Sequence, residues 1–162
     1  MSEYHQKRAV EIIKTIQYAT LATVTPEGQP WNSPVKHEYD KDLNIYWFSD
    51  KEGQHSKNIR ANGQAFIVIY DSTVPEGKGE GVYIQASVTE LSDPEEIRMV
   101  RQIKKGKDLD APDDFMGHAI RRVYKATPQK VWMNDAEIKD GKFIKDFRVE
   151  LDLQQLTQAL GL

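Results

Sequence analysis

The chain has 162 residues, a formal charge of −3 and no cysteine. A chain of this length buries the core of one domain unaided, and the lack of cysteine excludes disulfides, thiolate chemistry and iron–sulfur clusters. A mildly acidic chain without a basic block is not typical of proteins that hold duplex nucleic acid or anionic lipid. No apolar run approaches the roughly 20 residues of a membrane helix, and the charged N-terminal segment lacks a signal-peptide pattern. We therefore expect one cytoplasmic domain over residues 1–162.

The first half of the chain predicts a helix, three strands, a short helix and a fourth strand. Apolar residues recur at helical spacing from Ala9 to Ile16. Residues 18–25 alternate and are rich in β-branched side chains, which is typical of a strand, and a Pro-Glu-Gly turn ending at Gly28 follows. The remaining predicted elements are strands over residues 29–39, 43–49 and 64–70, and a helix over residues 54–61 that ends near Asn62 and Gly63.

The second half of the chain predicts further strands and two more helices. Asp93 and Pro94, followed by two glutamates, are typical of a helix start, and this helix is expected to run to about Lys104. The other predicted elements are strands over residues 81–91, 123–133 and 143–151, an acidic loop over residues 108–114, a turn at Asp140-Gly141 and a C-terminal helix carrying Leu153, Leu156 and Leu160. Six or seven antiparallel strands with attached helices predict a mainly β (α+β) antiparallel barrel.

A strand, a short polar loop and a helix start occur in succession near residue 50. The strand ends at Ser49, and the helix opens with His55, Ser56 and Lys57. A helix start presents unpaired N–H groups and a partial positive charge, so a hydroxyl and an ammonium beside it favour a phosphate monoester. The loop has too few glycines for a Walker or Rossmann site. The alternative is that Ser56 caps a surface helix and that Lys57 is solvated.

Two prolines lie within one predicted strand. Pro30 and Pro34 each remove a backbone donor, which a strand tolerates only at a sheet edge or a bulge. Backbone groups left unpaired there, together with the short polar side chains of Asn32 and Ser33, are suited to the edge of a planar polar heterocycle. The alternative is an edge strand that its prolines protect from aggregation.

Aromatic and histidine residues leave further alternatives open. Trp31, Tyr46 and Trp47 would be stacking platforms in a β-barrel module for single-stranded nucleic acid, although the charge of −3 counts against that function. The histidines show no metal-ligand spacing, so no metal site is predicted, and no catalytic residue is identified. These histidines are His5, His37, His55 and His118.

Three motifs, in this order, resemble the pyridoxamine 5′-phosphate oxidase-like FMN-binding split-barrel family. The first is the hairpin of residues 18–35, the second combines residues 46–50 with residues 55–59, and the third is residues 124–132. The resemblance covers the chain from about Tyr18 to Trp132. It implies a six-stranded antiparallel split β-barrel with flanking helices, a homodimer with FMN at its interface, and an oxidoreductase acting on a small organic substrate.

The resemblance also implies the residues that would contact FMN. They are Asn32, Ser33, Pro34 and Val35 at the ring edge, Phe48 and Ser49 beside the ribityl chain and phosphate, His55, Ser56, Lys57 and Asn58 at the phosphate, Gln85 at the flavin, and the partner subunit's Trp132 over the ring. Lys57 is the one full positive charge in residues 54–58. Two further possibilities keep the fold and change the ligand to deazaflavin or to haem, with His37 or His55 as haem candidates, and a third is a non-catalytic binding module.

Overall fold

A computed structural model describes residues 3–105 and 112–161 of the chain. Within them the fold is a mainly β antiparallel sheet of eight strands with four α-helices. The strands are β1 Tyr18–Val24, β2 Pro30–Lys36, β3 Glu38–Tyr39, β4 Ile45–Asp50, β5 Gln64–Tyr70, β6 Gly81–Glu90, β7 Arg121–Lys139 and β8 Lys142–Leu151. The helices are α1 Glu3–Thr15, α2 Gln54–Asn62, α3 Pro94–Lys105 and α4 Leu153–Leu160, with a 3₁₀ helix at Pro112–Phe115.

The sheet has the order β2-β1-β5-β6-β7-β4-β3, and β8 pairs with the second half of β7. It contains eight strands where the resemblance implied six, and its path ends at β2 and β3 instead of closing. One additional strand arises because the predicted strand over residues 29–39 changes its partner at His37. Lys36 still pairs with Tyr18 of β1, whereas Glu38 pairs with Tyr46 of β4. The predicted acidic loop falls partly outside the described residues, and its described end is the 3₁₀ helix.

One face of the sheet forms the main core. Register aligns Leu21, Ile67, Ile84, Val131 and Leu151 in a single row across five strands, and all five are buried. Strand alternation places their chain neighbours on the opposite face. Helices α1 and α4 cover the row with apolar side chains, and each buried aliphatic side chain contributes about 1.5–3 kcal/mol. The alternation predicted for residues 18–25 is confirmed in β1.

Helix α3 begins and helix α2 ends as their sequences predict. At α3 the Asp93 carboxylate accepts a hydrogen bond from the Glu95 N–H at 3.0 Å, and the helix packs on Tyr46 of β4. At the other helix, α2, Gly63 follows the last residue with a φ of +66°. Its N–H donates to the Ile59 carbonyl, which is the left-handed helix end that glycine favours.

His37 joins α1 to the break between β2 and β3. Its backbone N–H donates to the Gln17 carbonyl at 3.1 Å, and its ring Nε2 donates to the Ile16 carbonyl at 2.9 Å. The residue is buried, and Nδ1 has no hydrogen-bond partner among the described residues. Burial lowers the pKa of His37, and the bond to Ile16 only partly opposes that shift. The folded chain therefore holds this ring neutral.

We expect acid to destabilise the fold partly through His37. The unfolded chain binds a proton at the ordinary histidine pKa, whereas the folded pKa is lower. The unfolded state thus binds more protons, and stability falls as the pH drops below about 6.5. The free energy of unfolding, measured with urea at about pH 7.5 and about pH 5.5, should fall more in the wild type than in His37→Gln. The glutamine amide of that variant can still donate to the Ile16 carbonyl. Equal losses in both proteins would contradict this account.

Candidate functional site

The outer edge of β2 carries unpaired backbone groups. The His37 N–H and the Gln29 carbonyl both bond to the β1 side, so odd-numbered residues direct their peptide groups towards β1. Residues 30, 32, 34 and 36 therefore direct theirs away, and within the described chain β2 pairs only with β1. Pro30 and Pro34 lie at these outward positions and have no N–H. Between them the edge presents one N–H, that of Asn32, flanked by carbonyl groups.

The side chains of β2 divide between two faces. Val35 points into the core and Ser33 is half-buried, whereas Asn32 and Pro34 are exposed. The four residues predicted to line a flavin edge are thus together on one strand. They offer a ligand mainly backbone atoms and the Asn32 side chain.

Ser56 and Asn58, both predicted phosphate ligands, instead hold α2 in place. Both residues are fully buried. The Ser56 hydroxyl donates to the Asp50 carbonyl at 2.7 Å, which fastens the helix to the end of β4. The Asn58 amide donates to Thr23 Oγ1 of β1 at 2.9 Å and accepts a hydrogen bond from Gln54 at 2.8 Å. Without a ligand, both side chains are therefore engaged with other residues of the protein. Ser56 is also not a cap, since Gly53 occupies that position without a side-chain bond.

His55 and Lys57 remain near the surface at the start of α2. Burial lowers the pKa of His55, so its ring is neutral at neutral pH. The buried Nε2 of that ring has no hydrogen-bond partner among the described residues. Lys57 is half-exposed, and its Nζ lies 3.6 Å from a Glu52 carboxylate oxygen. The Lys57 N–H donates to the Gly53 carbonyl, which is the first backbone hydrogen bond of α2. The N–H groups before Lys57 therefore have no partner within the helix, and the helix start offers these donors together with the Lys57 ammonium.

Phe48 and Ser49 lie on opposite faces of β4. Phe48 packs edge-on against Phe115, with ring centroids 5.0 Å apart, and the Lys104 Nζ lies 4.3 Å from the Phe48 ring centroid. Ser49 pairs with Arg122 on the opposite face. A single ligand that reaches this strand end from the α2 side therefore meets the Ser49 side chain and only the backbone of Phe48.

The outer face of the sheet brings Gln85 and Trp132 together with the predicted residues of β2. Register places Asn32 in one row with Ala22, Phe66 and Gln85, and Pro34 in the next row with Thr20, Val68, Tyr83 and Trp132. Trp132 stacks on Phe66 of its own subunit, with centroids 6.1 Å apart and an interplanar angle of 23°.

Sequence reasoning missed an aromatic patch on this outer face. It consists of Phe66, Tyr83 and Trp132, and Arg148 of β8 lies over it. Alternation in the two strands over residues 64–70 and 81–90 already assigns Phe66 and Tyr83 to the face opposite the core. The contact with Arg148 depends on the β7–β8 register, which no local pattern reveals.

The positions of the side chains argue against stacking of nucleic-acid bases on Tyr46 and Trp47 and against His37 as a haem ligand. Tyr46 and Trp47 are completely buried, so they are not platforms for nucleic-acid bases, and only Trp31 is exposed. His37 donates its Nε2 proton to a carbonyl and is buried, so it is not available to haem iron.

Within residues 3–105 and 112–161, no group of three or more His, Cys, Asp or Glu side chains is placed to hold a metal ion. None of the described helices is long and apolar enough to span a membrane.

Comparison with solved structures supports the fold. A heme-binding protein from Mycobacterium smegmatis matches with 16% identity and a TM-score of 0.67 over 98% of this chain and 61% of that chain. The heme storage protein HutZ from Vibrio cholerae matches with 14% identity and a TM-score of 0.55 over 75% and 88%. The General Stress Protein 26 from Bacillus anthracis matches with 14% identity and a TM-score of 0.59 over 86% and 97%. Identities this low establish shared architecture alone.

Comparison of the sequence identifies the family. No curated protein sequence matches the chain. The sequence model of the family described as pyridoxamine 5′-phosphate oxidase matches residues 6–135, which include β2, α2 and the outer-face residues Gln85 and Trp132. The chain therefore belongs to the pyridoxamine 5′-phosphate oxidase family.

Proposed function

We propose that the chain is a cytoplasmic, homodimeric FMN-binding oxidoreductase that acts on a small organic substrate. The observation that carries this proposal is the outer edge of β2, where the Asn32 N–H lies between two prolines and beside unpaired carbonyl groups. A flavin edge alternates hydrogen-bond acceptors and donors, and this strand edge offers such a ligand both a donor and carbonyl acceptors from its backbone. Membership of the family supports the same cofactor.

The start of α2 is the proposed phosphate site. The unpaired N–H groups of its first turn, Lys57 and the Ser49 hydroxyl would hold the phosphate. Ser56 and Asn58 would act indirectly by fixing the helix against β4 and β1. Glu52 competes for Lys57 at 3.6 Å, so we assign this cation a moderate contribution.

The outer face is the proposed dimer interface. Phe66, Tyr83 and Trp132 are half-buried in one chain, and Tyr18 and Tyr70 on the same face are exposed. A second copy that covers these rings would enclose the flavin and exclude water from it. When bound, the flavin would supply hydride transfer, while the chain would bind the ring, orient it and tune it through hydrogen bonds.

A haem-binding function is the second candidate. It rests on His55, whose buried Nε2 lacks a hydrogen-bond partner among the described residues and whose lowered pKa keeps the ring neutral, as a metal ligand must be. Deazaflavin would use the same strand edge as flavin. Both ligands differ from FMN in visible absorption, so one spectrum separates the three.

We expect purified protein to bind FMN at about one molecule per subunit. The measurement is the visible spectrum of the protein after incubation with FMN and gel filtration, with haem and a deazaflavin as parallel ligands. Flavin absorption that elutes with a dimer supports the proposal. A protein that leaves FMN behind and retains haem would replace it with the second candidate.

We expect Lys57→Ala to weaken FMN binding about tenfold, which corresponds to about 1.4 kcal/mol. A hydrogen bond to a charged group is worth roughly 1.5–3 kcal/mol, and exposure of Lys57 places its contribution near the lower limit. Fluorescence titration of FMN gives the affinity. Lys41→Ala, which removes another exposed cation from the turn before β4, serves as the control and should bind FMN normally. Unchanged affinity in Lys57→Ala would mean that the phosphate lies elsewhere.

We expect Asn32→Pro to weaken FMN binding at least tenfold, because it removes the one N–H that this stretch of edge presents. The fold should persist, since Pro30 and Pro34 already occupy the equivalent outward positions. Asn32→Ala keeps the N–H and removes only the side chain, so it should bind more tightly than the proline variant. Equal affinity of the two variants would exclude the backbone donor as a flavin contact.

A further inference from the structure

Glu90, at the end of β6, accepts hydrogen bonds from three side chains on two other elements. The donors are Arg122 Nε at 3.0 Å and the Tyr124 hydroxyl at 3.1 Å, both on β7, and the Arg60 guanidinium at 3.3 Å, on α2. Burial raises the pKa of Tyr124 to about 12, so its hydroxyl remains a donor at neutral pH. A single carboxylate of β6 is thus bonded to β7 and to α2.

Arg60 extends this contact to the turn that precedes α2. The guanidinium that bonds to Glu90 also donates to the Lys51 carbonyl at 2.5 Å, and the Lys51 N–H donates to the Ile120 carbonyl at 2.9 Å. Both backbone groups of Lys51 therefore have partners on other elements. A turn held in this way loses conformational freedom, so Glu90 and Arg60 together restrict residues 50–53.

Arg122 holds the neighbouring segment over residues 117–120. Its guanidinium donates to the Ala119 carbonyl at 2.6 Å and to the Gly117 carbonyl. The Arg122 side chain is only 10% exposed, and a guanidinium this buried requires a carboxylate partner, which Glu90 supplies. Register places Arg122 opposite Ser49, whose hydroxyl belongs to the proposed phosphate site. The Glu90 cluster therefore adjoins that site.

The turn before α2 uses some of its N–H groups internally and leaves three others without acceptors. The Glu52 N–H donates to the Asp50 carboxylate at 2.8 Å, the Gly53 N–H to the Asp50 carbonyl at 3.1 Å, and the Lys57 N–H to the Gly53 carbonyl at 3.1 Å. Among the described residues, the N–H groups of residues 54–56 have no acceptor. Three consecutive donors at the positive end of a helix suit the oxygens of a phosphate monoester.

We propose that Glu90 is the positioning residue of this phosphate site. Through Arg60 it fixes the backbone of Lys51, so the N–H groups of residues 54–56 are already in place when a phosphate monoester binds. Donors that are fixed in advance lower the entropic cost of binding. The identity of the ligand rests on the function proposed above. Neither Glu90 nor Arg60 is assigned a contact with the ligand.

The test compares FMN with riboflavin, which lacks the phosphate, by fluorescence titration of the full chain. Arg60→Met removes the donor to the Lys51 carbonyl and leaves the bond between Glu90 and Arg122 intact, so this variant should fold. Glu90→Gln weakens the whole cluster. We expect both variants to bind FMN about tenfold more weakly and riboflavin as tightly as the wild type does. Arg60→Lys retains a donor and should recover part of the FMN affinity.

The matched control is Arg98→Met on α3. The Arg98 side chain is 40% exposed, against 39% for Arg60, and it also pairs with a carboxylate, that of Glu95. This variant removes an equivalent surface arginine away from the turn, so it should bind both flavins normally.

A second measurement follows the turn without any flavin. Hydrogen exchange of the Lys51 N–H should be about tenfold faster in Arg60→Met than in the wild type, because the Lys51 backbone then loses one of its two partners. The Val88 N–H of β6, which donates to the Gly63 carbonyl at 2.8 Å, should keep its protection in both proteins.

Unchanged FMN affinity in the variants, an equal loss for FMN and riboflavin, or unchanged exchange at Lys51 would overturn the proposal. An equal loss for the two flavins would mean that Glu90 acts on the fold as a whole. Normal FMN binding by Arg60→Met and Glu90→Gln would remove the role of Glu90 and leave the proposed function. A wild type that binds no FMN would remove the proposed function, and faster exchange at Lys51 would then limit Glu90 to holding the turn.

Discussion

The buried row from Leu21 to Leu151 determines the rest of this molecule. Because side chains alternate along a strand, a shift of one residue in any of the five strands would move its core side chain to the outside. The same register that buries the aliphatic row places Asn32, Phe66, Gln85, Tyr83 and Trp132 together on the other face. Core packing therefore determines which residues lie on the outer face. Because these residues add little to the core, their side chains can be suited to binding.

The position of α2 depends on two polar side chains rather than on apolar packing alone. Ser56 and Asn58 are buried because each has a defined hydrogen-bond partner, on β4 and β1 respectively. A polar residue buried with its partner fixes a helix more specifically than an aliphatic one does. The donors at the start of α2 thus lie close to the ends of β4 and β1.

Local sequence patterns predicted the elements of this fold well, and long-range contacts explain what they missed. The helix ending before Gly63, the Asp140-Gly141 turn and the strand alternation all depend on neighbours within a few residues. The change of partner at His37, the eight strands and the unclosed path depend on which strands meet across the sheet. The two prolines of β2 indicated an edge strand correctly, whereas the burial of Ser56 and Asn58 follows from partners on other elements, Asp50 and Thr23.

Strand β7 also constrains how the chain acquires its structure. It pairs with β4 through residues 121–126, with β6 over its middle and with β8 over its second half. Pairing Ile45 with Ala126 closes a loop that contains about half of the chain, and such non-local pairing is intrinsically slow. During synthesis, β4 remains without its main partner until residue 126 has left the ribosome. The hairpins β1–β2 and β5–β6 can form earlier, so assembly of the end of β4, and with it the proposed phosphate site, belongs to the last stage of folding.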